Sequence, residues 1–311
     1  MLTARATHIL EAQQFSRSWL EEELFPLADQ MGAVAQQGGD RSLAGKRLFN
    51  LFYEPSTRTR VSFESAIQLL GGSASGTENA RQFSSAIKGE TLEDTVRILN
   101  GFFYDVIVLR YDEEGGAQRA ASVSRAPVIS AGDGPGQHPT QALLDVYTIR
   151  RFLGGIDGIS IALVGDLAYG RTVHSLAYLL ARFRDVKLLF VSPEALRIKP
   201  GIRDYLDRHG VGYRELTDLG QVAGQLDVVY VTRAQTERFS HAERFNHRPG
   251  SYGVNRGLLQ QMRSHAIVMH PLPRNEELPA EVDDDPRVVV FQQAQHGLFV
   301  RMALLRMLLG G

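Results

Sequence analysis

The 311-residue sequence contains no cysteine, which rules out disulfides, a thiolate nucleophile and any cysteine-ligated zinc or iron-sulfur site within the chain. A reducing compartment suits such a composition. An excess of charge of either sign is missing too: 34 Lys+Arg stand against 35 Asp+Glu, a formal net charge of -1, so there is no broad positive field of the kind that non-specific nucleic-acid binding needs. Any anion site must therefore be assembled locally. No stretch approaches the ~20 uninterrupted apolar residues of a membrane span, and the opening MLTARATHILEAQQFSRSWLEEELF is broken by charges and lacks an apolar signal core. The expectation is a soluble, cytoplasmic protein with neither nucleic acid nor membrane as partner. Repeats of fixed period and long low-complexity tracts are also absent, which argues against solenoids and disordered tails.

What is present is ordinary globular sequence, 43% hydrophobic and 22% charged, long enough for two cores of about 150 residues each. KRLFNLFYE (46–54) reads as a buried strand, after which Pro55 and Ser56 open a helix with Phe63, Ala66, Ile67 and Leu70 on one face, spaced i, i+3, i+4, i+7. Gly71 and Gly72 stop it. VIVLR (106–110) and PVIS (127–130) read as further strands, the second running through AGDGPGQ into a helix with Pro139 near its first position and Gly154–Gly155 at its end. A second series follows: the strand ISIALVGD (159–166), a helix with Val173, Leu176, Leu180 and Phe183 on one face, and the apolar runs VKLLFVS (186–192), LDVVYVT (226–232), AIVMH (266–270) and RVVVF (287–291), all read as strands.

Strands alternating with helices predict an α/β fold of two doubly wound parallel-sheet domains joined by an interdomain helix. The first domain is expected over residues 1–150 and the second over 151–292. A last helix at 293–311, with Leu298, Met302, Leu305 and Leu309 as its apolar positions, has no docking site dictated by its pattern; its return to complete the first domain is the expectation.

In open parallel sheets ligands bind beyond the carboxyl ends of the strands, and the polar residues of this sequence gather there. After the first strand come Ser56, Thr57, Arg58, Thr59 and Arg60, three hydroxyls and two guanidiniums at a helix start. Free backbone amides, the helix dipole and a guanidinium fork all favour an anion. An isolated S-T-R would more simply be an N-cap followed by solvated arginines. Arg110 ends another strand, His138 and Gln141 open the helix after PVIS, Arg171 follows VGD, Arg233 and Gln235 follow LDVVYVT, and Leu272 and Pro273 follow AIVMH. Arginines at four strand ends, in a chain without net positive charge, imply one or two strongly anionic ligands.

Other chemistries lack their signatures. VGDLAYG resembles a dinucleotide loop only loosely, with no G-x-G-x-x-G and with Arg171 where a small residue belongs. The nine histidines show no H-x-x-x-H or H-E-x-x-H spacing, and no G-x-S-x-G elbow is present. Electrostatic catalysis by arginines, without cofactor or metal, is what the residues support.

FYEPSTRTR (52–60) resembles the carbamoyl phosphate signature of the carbamoyltransferases, AGDGPGQHPTQALLD (131–145) is similar to the family's second signature, and VGDLAYGRTVHSLA (164–177) and MHPLPR (269–274) follow in family order over nearly the whole chain. The ornithine branch typically carries H-C-L-P near the second substrate; here His270-Pro271-Leu272-Pro273 and the absence of cysteine favour the aspartate branch. The resemblance implies carbamoyl transfer from carbamoyl phosphate to the amine of L-aspartate, a step of pyrimidine biosynthesis. It assigns Ser56, Thr57, Arg58 and Thr59 to the phosphate, with Arg110 and, from an adjacent chain, Ser84 and Lys88 of the SSAIKGET segment (84–91). Thr59, Arg110 and His138 would face the carbamoyl oxygen, Gln141 and the backbone at Leu272 and Pro273 the carbamoyl amide, and Arg171, Arg233, Gln235 and Lys88 the carboxylates of aspartate.

Glu54 resembles a family glutamate that pairs with Arg171 and Arg238 when the domains close, with Glu237 steadying Arg233. A cyclic homotrimer with shared sites is implied, whereas a separate zinc-bearing regulatory chain is left open: Ala168 stands where relatives often have lysine, and YDEEGGAQR after Arg110 is a residue longer than in relatives that bind such chains. An ornithine carbamoyltransferase, a catalytically inactive scaffold homologue and a nicotinamide dehydrogenase are the competing readings. The scaffold would be expected to have lost some of Arg58, Thr59, Lys88, Arg110, His138, Arg171 and Arg233, and all are present.

Overall fold

The computed structural model describes residues 8–233 and 252–310. By backbone contacts the chain divides into two compact units, Met1–Leu144 with Gln295–Gly311, and Asp145–Ala294. The division falls inside the helix Pro139–Leu153, about six residues before the boundary after residue 150 expected from the sequence.

The first unit holds four strands, β1 Arg47–Phe52, β2 Ser73–Thr77, β3 Val106–Tyr111 and β4 Val128–Asp133, all parallel in the order β2-β1-β3-β4. Val106–Leu109 and Val128–Ile129 are fully buried, as the near-continuous apolar runs of a sheet covered on both faces require. The helix Thr57–Leu69 seats Phe63, Ala66 and Ile67 with no exposure, followed by equally buried Leu70. Its stop is glycine-specific: Gly71 takes φ +84, and a Cβ on Gly72 would come within 2.8 Å of the Lys46 carbonyl oxygen.

The second unit holds β5 Ser160–Gly165, β6 Lys187–Val191, β7 Tyr213–Leu216, β8 Val228–Thr232 and β9 Ile267–Met269, again parallel, in the order β7-β6-β5-β8-β9. Ala162, Val164, Val229, Val231 and Val268 form the middle of its core, against Leu258, Leu259 and Val282.

Two readings of the sequence change, and one question it left open is answered. RVVVF (287–291) is not a strand: Val288 makes one isolated bridge to Val268, and the last helix begins at Val290 and runs to Leu309. A short apolar run carries no periodicity that separates a strand from a buried helix start. The edge strands β2 (SASGT) and β7 (YREL) went unread because neither contains a fully buried position, so neither shows an apolar run. The last helix is anchored within the first unit, where Arg306 Nη1 lies 3.2 Å from Asp40 Oδ2 and the Arg301 guanidinium stacks 5.3 Å from the Phe63 ring centre.

Candidate active site

Both sheets have a topological switch point, where successive connections leave in opposite directions and the loops part to leave a crevice. In the first unit it lies between β1 and β3, where the loop after β1 carries Glu54–Thr59 and Arg110 is the penultimate residue of β3. In the second it lies between β5 and β8, and the loops carry Asp166–Arg171 and Arg233. The arginines picked out by sequence thus occupy the two places where these topologies open.

In the first unit Ser56 is the N-cap residue of the helix Thr57–Leu69, but its side chain makes no capping hydrogen bond. Elsewhere such residues do cap: Thr91 Oγ1 accepts from the Asp94 amide at 3.1 Å and Asn255 Oδ1 from the Leu258 amide at 2.9 Å. The Ser56 side chain thus takes up none of the amides at the start of Thr57–Leu69, which suits anion binding at a helix start. Thr57 and Arg58 are exposed and Thr59 is buried. Arg60, half-buried, turns to Glu64 at 2.8 Å and Glu78 at 3.6 Å.

Arg110, half-buried, donates from Nη1 to the Ala131 carbonyl at 3.3 Å, and its Nε lies 3.3 Å from Glu54 Oε2. Glu54 therefore pairs here with Arg110; of the partners expected for it, Arg238 lies outside the described residues, as do Gln235 and Glu237. His138 and Gln141 are both buried. His138 Nδ1 sits 3.4 Å from the Thr140 hydroxyl. The preceding loop is held by Asp133, which accepts from the Gly115 and Ala117 amides at 2.7 and 3.1 Å. Burial pushes the Asp133 carboxyl above its usual range despite those backbone donors.

Ser84 and Lys88 bracket a short exposed turn, Ser85–Lys88. The Ser84 hydroxyl donates to the Ala80 carbonyl at 2.6 Å and accepts from the Ala86 amide at 3.1 Å, while Lys88 is exposed ahead of Gly89 at φ +90.

In the second unit Gly165 has φ +111, and a Cβ there would lie 2.2 Å from the Thr232 carbonyl, so the ends of β5 and β8 touch backbone to backbone. Gly170, N-cap of the helix Arg171–Leu180, offers no side chain to cap it, and a Cβ there would strike the Asp166 carbonyl at 2.3 Å. Arg171 is the first residue of that helix and is buried; Arg233 is half-buried directly after β8. Leu272, at φ 53, precedes Pro273 across a cis peptide bond. Behind it lies a run of buried residues with polar groups of which the sequence reading named His270 and missed Gln293, Asp145 and Tyr230. The one available signal was a charge inside the apolar run Leu143-Leu144-Asp145-Val146-Tyr147. Among the described residues no group of three or more histidine or acidic side chains is placed to hold a metal ion, and no helix is long and apolar enough to cross a membrane.

Two open parallel sheets with arginines at both switch points define an α/β protein that binds small anions. Its relatives make the class specific. Residues 7–151 match the family description "Aspartate/ornithine carbamoyltransferase, carbamoyl-P binding domain" and residues 157–308 match "Asp/Orn binding domain" of the same family. The sequence is 55% identical over 305 residues to aspartate carbamoyltransferase 1, chloroplastic, of Pisum sativum, covering 97% of this chain and 78% of that one. It is 47% identical to the aspartate carbamoyltransferase catalytic subunit of Methanopyrus kandleri, covering 97% of each. The structure superposes with TM-score 0.92, at 39% identity over 98% of this chain and 97% of the other, on aspartate transcarbamoylase from Trypanosoma cruzi in complex with carbamoyl phosphate and aspartate. The chain belongs to the aspartate/ornithine carbamoyltransferase family.

Proposed function

We propose that this chain transfers the carbamoyl group of carbamoyl phosphate to the amine of L-aspartate, giving N-carbamoyl-L-aspartate and phosphate, the chemistry of pyrimidine synthesis. The observation that carries the reading is the pairing of Arg58 with Arg110 at one switch point and of Arg171 with Arg233 at the other. One pair suits a phosphate and the other a dicarboxylate. The uncapped start of Thr57–Leu69 and the hydroxyls of Ser56, Thr57 and Thr59 would receive the phosphate. Arg110, Thr59 and the His138 ring would face the carbamoyl oxygen, whose negative charge grows as the amine attacks. Gln141 and the carbonyls at Leu272 and Pro273 would accept from the carbamoyl amide and fix its plane, while Arg171, Arg233 and Gln235 aim the aspartate amine at the carbon. The departing phosphate takes the amine proton, so no separate general base is needed. Residues 1–150 with the last helix would serve carbamoyl phosphate and residues 151–292 aspartate. The test is formation of carbamoyl aspartate with ornithine as the competing acceptor; carbamoylation of ornithine at an equal or higher rate overturns the reading.

We further infer a cytoplasmic homotrimer, with Ser84 and Lys88 serving the neighbouring site. In support, Lys88 sits on an exposed turn between Phe83, 82% exposed, and residues leading to Thr91, with Ile87 67% exposed beside it. Mixing inactive Arg58→Ala and Lys88→Ala chains is expected to restore partial activity through hybrid sites; no recovery despite subunit exchange removes the shared site. Glu54, here beside Arg110, is assigned to the closed state as partner of Arg171 and Arg238. Glu54→Ala is expected to raise the aspartate KM far more than that of carbamoyl phosphate, and equal changes would count against this assignment.

A further inference from the structure

Asp145 has no solvent exposure and lies in an apolar helix segment. A buried carboxylate is costly unless its lone pairs are filled, and here the donors are specific. Tyr230 Oη donates to Oδ2 at 2.9 Å and Gln293 Nε2 to Oδ1 at 2.7 Å. Because Gln293 turns its NH2 to the carboxylate, its Oε1 faces the other way, where it accepts from the His270 backbone amide at 2.9 Å. The amide orientation of Gln293 is thereby fixed from both ends.

The chain of bonds continues to the strand-end loop. His270 Nδ1 accepts from the Leu272 amide at 2.8 Å, which requires that nitrogen to be unprotonated, so the ring proton sits on Nε2 and donates to Glu277 Oε1 at 3.0 Å. The same oxygen accepts from the Asn275 amide at 2.8 Å. Leu272 is the residue held at φ 53, a conformation that a side chain with a Cβ adopts only when its surroundings enforce it. At the other end, Tyr230 lies in β8, three residues before Arg233, and its hydroxyl borders Thr172, which directly follows Arg171. Burial first, and then the negative charge of Asp145, keep the Tyr230 phenol protonated far above neutrality, so it remains a donor.

We propose that Asp145 is a positioning residue: through Gln293 and His270 it sets the Leu272 backbone so that its carbonyl can receive the carbamoyl amide, and through Tyr230 it steadies the loop ends that carry Arg171 and Arg233. This rests on the carbamoyl-transfer reading for the role of Leu272. The residues touch no substrate themselves, and their effect is on where the loop holds its carbonyl.

The test is a charge-reversal cycle. Gln293→Glu sets a second carboxylate against Asp145 and is expected to lower kcat about tenfold to a hundredfold and raise the carbamoyl phosphate KM, as loss of alignment at the reacting group does. Asp145→Asn added to Gln293→Glu reverses the amide–carboxylate pair and is expected to recover at least tenfold of that loss. Tyr230→Phe, which keeps the ring packing, guards against a misfolded single variant and is expected to raise the aspartate KM severalfold. A nitrogen-15 histidine spectrum gives the signature that a merely structural role would not move: His270 as the Nε2–H tautomer in wild type and in the double variant, and a tautomer mixture in Gln293→Glu. No rescue in the double variant, or wild-type kinetics in both Gln293→Glu and Tyr230→Phe, overturns the proposal. A wild-type chain that makes no carbamoyl aspartate while the histidine spectra behave as described would instead sink the functional reading and leave the network standing.

Discussion

The two switch points hold their arginines in different ways. At the first, Ser56 to Thr59 is one contiguous tract at a helix start that the Ser56 side chain does not cap, and Thr57 and Arg58 are exposed. At the second, Arg171 is buried, Gly165 and Gly170 let backbones meet at distances no Cβ would tolerate, and a buried hydrogen-bonded floor runs from Tyr230 to Glu277. A phosphate is a compact, highly charged ligand that backbone amides and one flexible fork can gather. A dicarboxylate whose amine must be aimed needs groups held in place beforehand. The first group of residues is thus built from local sequence, and the second from packing.

The largest expected effect tests the local half. Arg58→Ala is expected to lower kcat/KM by about a thousandfold, as removal of a charged donor in the transition state does, while the exposed side chain leaves the melting temperature nearly unchanged. Arg171→Ala sharpens the contrast: an aspartate KM raised by about a hundredfold, or roughly 2.7 kcal/mol of binding, together with a lower melting temperature because a buried cation and its partners are lost. Steady-state kinetics and thermal unfolding on the same preparations decide it. If both variants melt like wild type, the distinction between a surface tract and a packed site fails.

A smaller effect separates the loops themselves. Gly170→Ala forces a Cβ against the Asp166 carbonyl at 2.3 Å, and Asp166 also accepts from the Tyr169 amide at 2.9 Å. The loop must shift, at a cost of about 1–3 kcal/mol, with the aspartate KM rising in step. Thr57→Ala, on the exposed helix start, is expected to change carbamoyl phosphate affinity with stability unaltered. Denaturant midpoints check both, and an unshifted midpoint for Gly170→Ala would mean that the loop is looser than its contacts imply.

This asymmetry also explains what could be read in advance. The α/β alternation and seven of the nine described strands follow from short continuous apolar runs, and the apolar face of Thr57–Leu69 from a period of 3.6. Residues 56 to 60 were legible because their chemistry is adjacent in sequence. Edge strands β2 and β7 were not, since a half-exposed strand of small or charged residues has no apolar signature. The floor of the second half-site was illegible for another reason. Asp145 and Gln293 are 148 positions apart and Tyr230 and Asp145 are 85 apart, and no local rule says which buried polar residue meets which. Even His270, seen as part of a motif, gave no hint that its ring nitrogen receives the Leu272 amide.

Acid should distinguish the halves by a margin smaller than any substitution. Glu277 is held below the ordinary glutamate range: burial alone would raise it, but the His270 ring and the Asn275 amide outweigh burial. Its folded pKa is depressed, so its contribution is fully present above the unfolded value of about 4.3 and is lost as pH falls through the folded value. Asp133 in the first unit has the opposite sign, since burial raises it above the ordinary aspartate range. Its contribution is present at low pH and lost as pH rises through the raised value. Acidification from about pH 5 to pH 3, through and below the unfolded glutamate value, is therefore expected to loosen the amides of Leu272 and Asn275 before those of Gly115 and Ala117. Hydrogen exchange read segment by segment measures this, with protection around 270–278 falling severalfold while that around 115–117 holds or rises. Parallel loss in both segments would mean that the carboxylate beneath Leu272 does not hold the loop, and the contrast between a packed half-site and a local one would lose its electrostatic support.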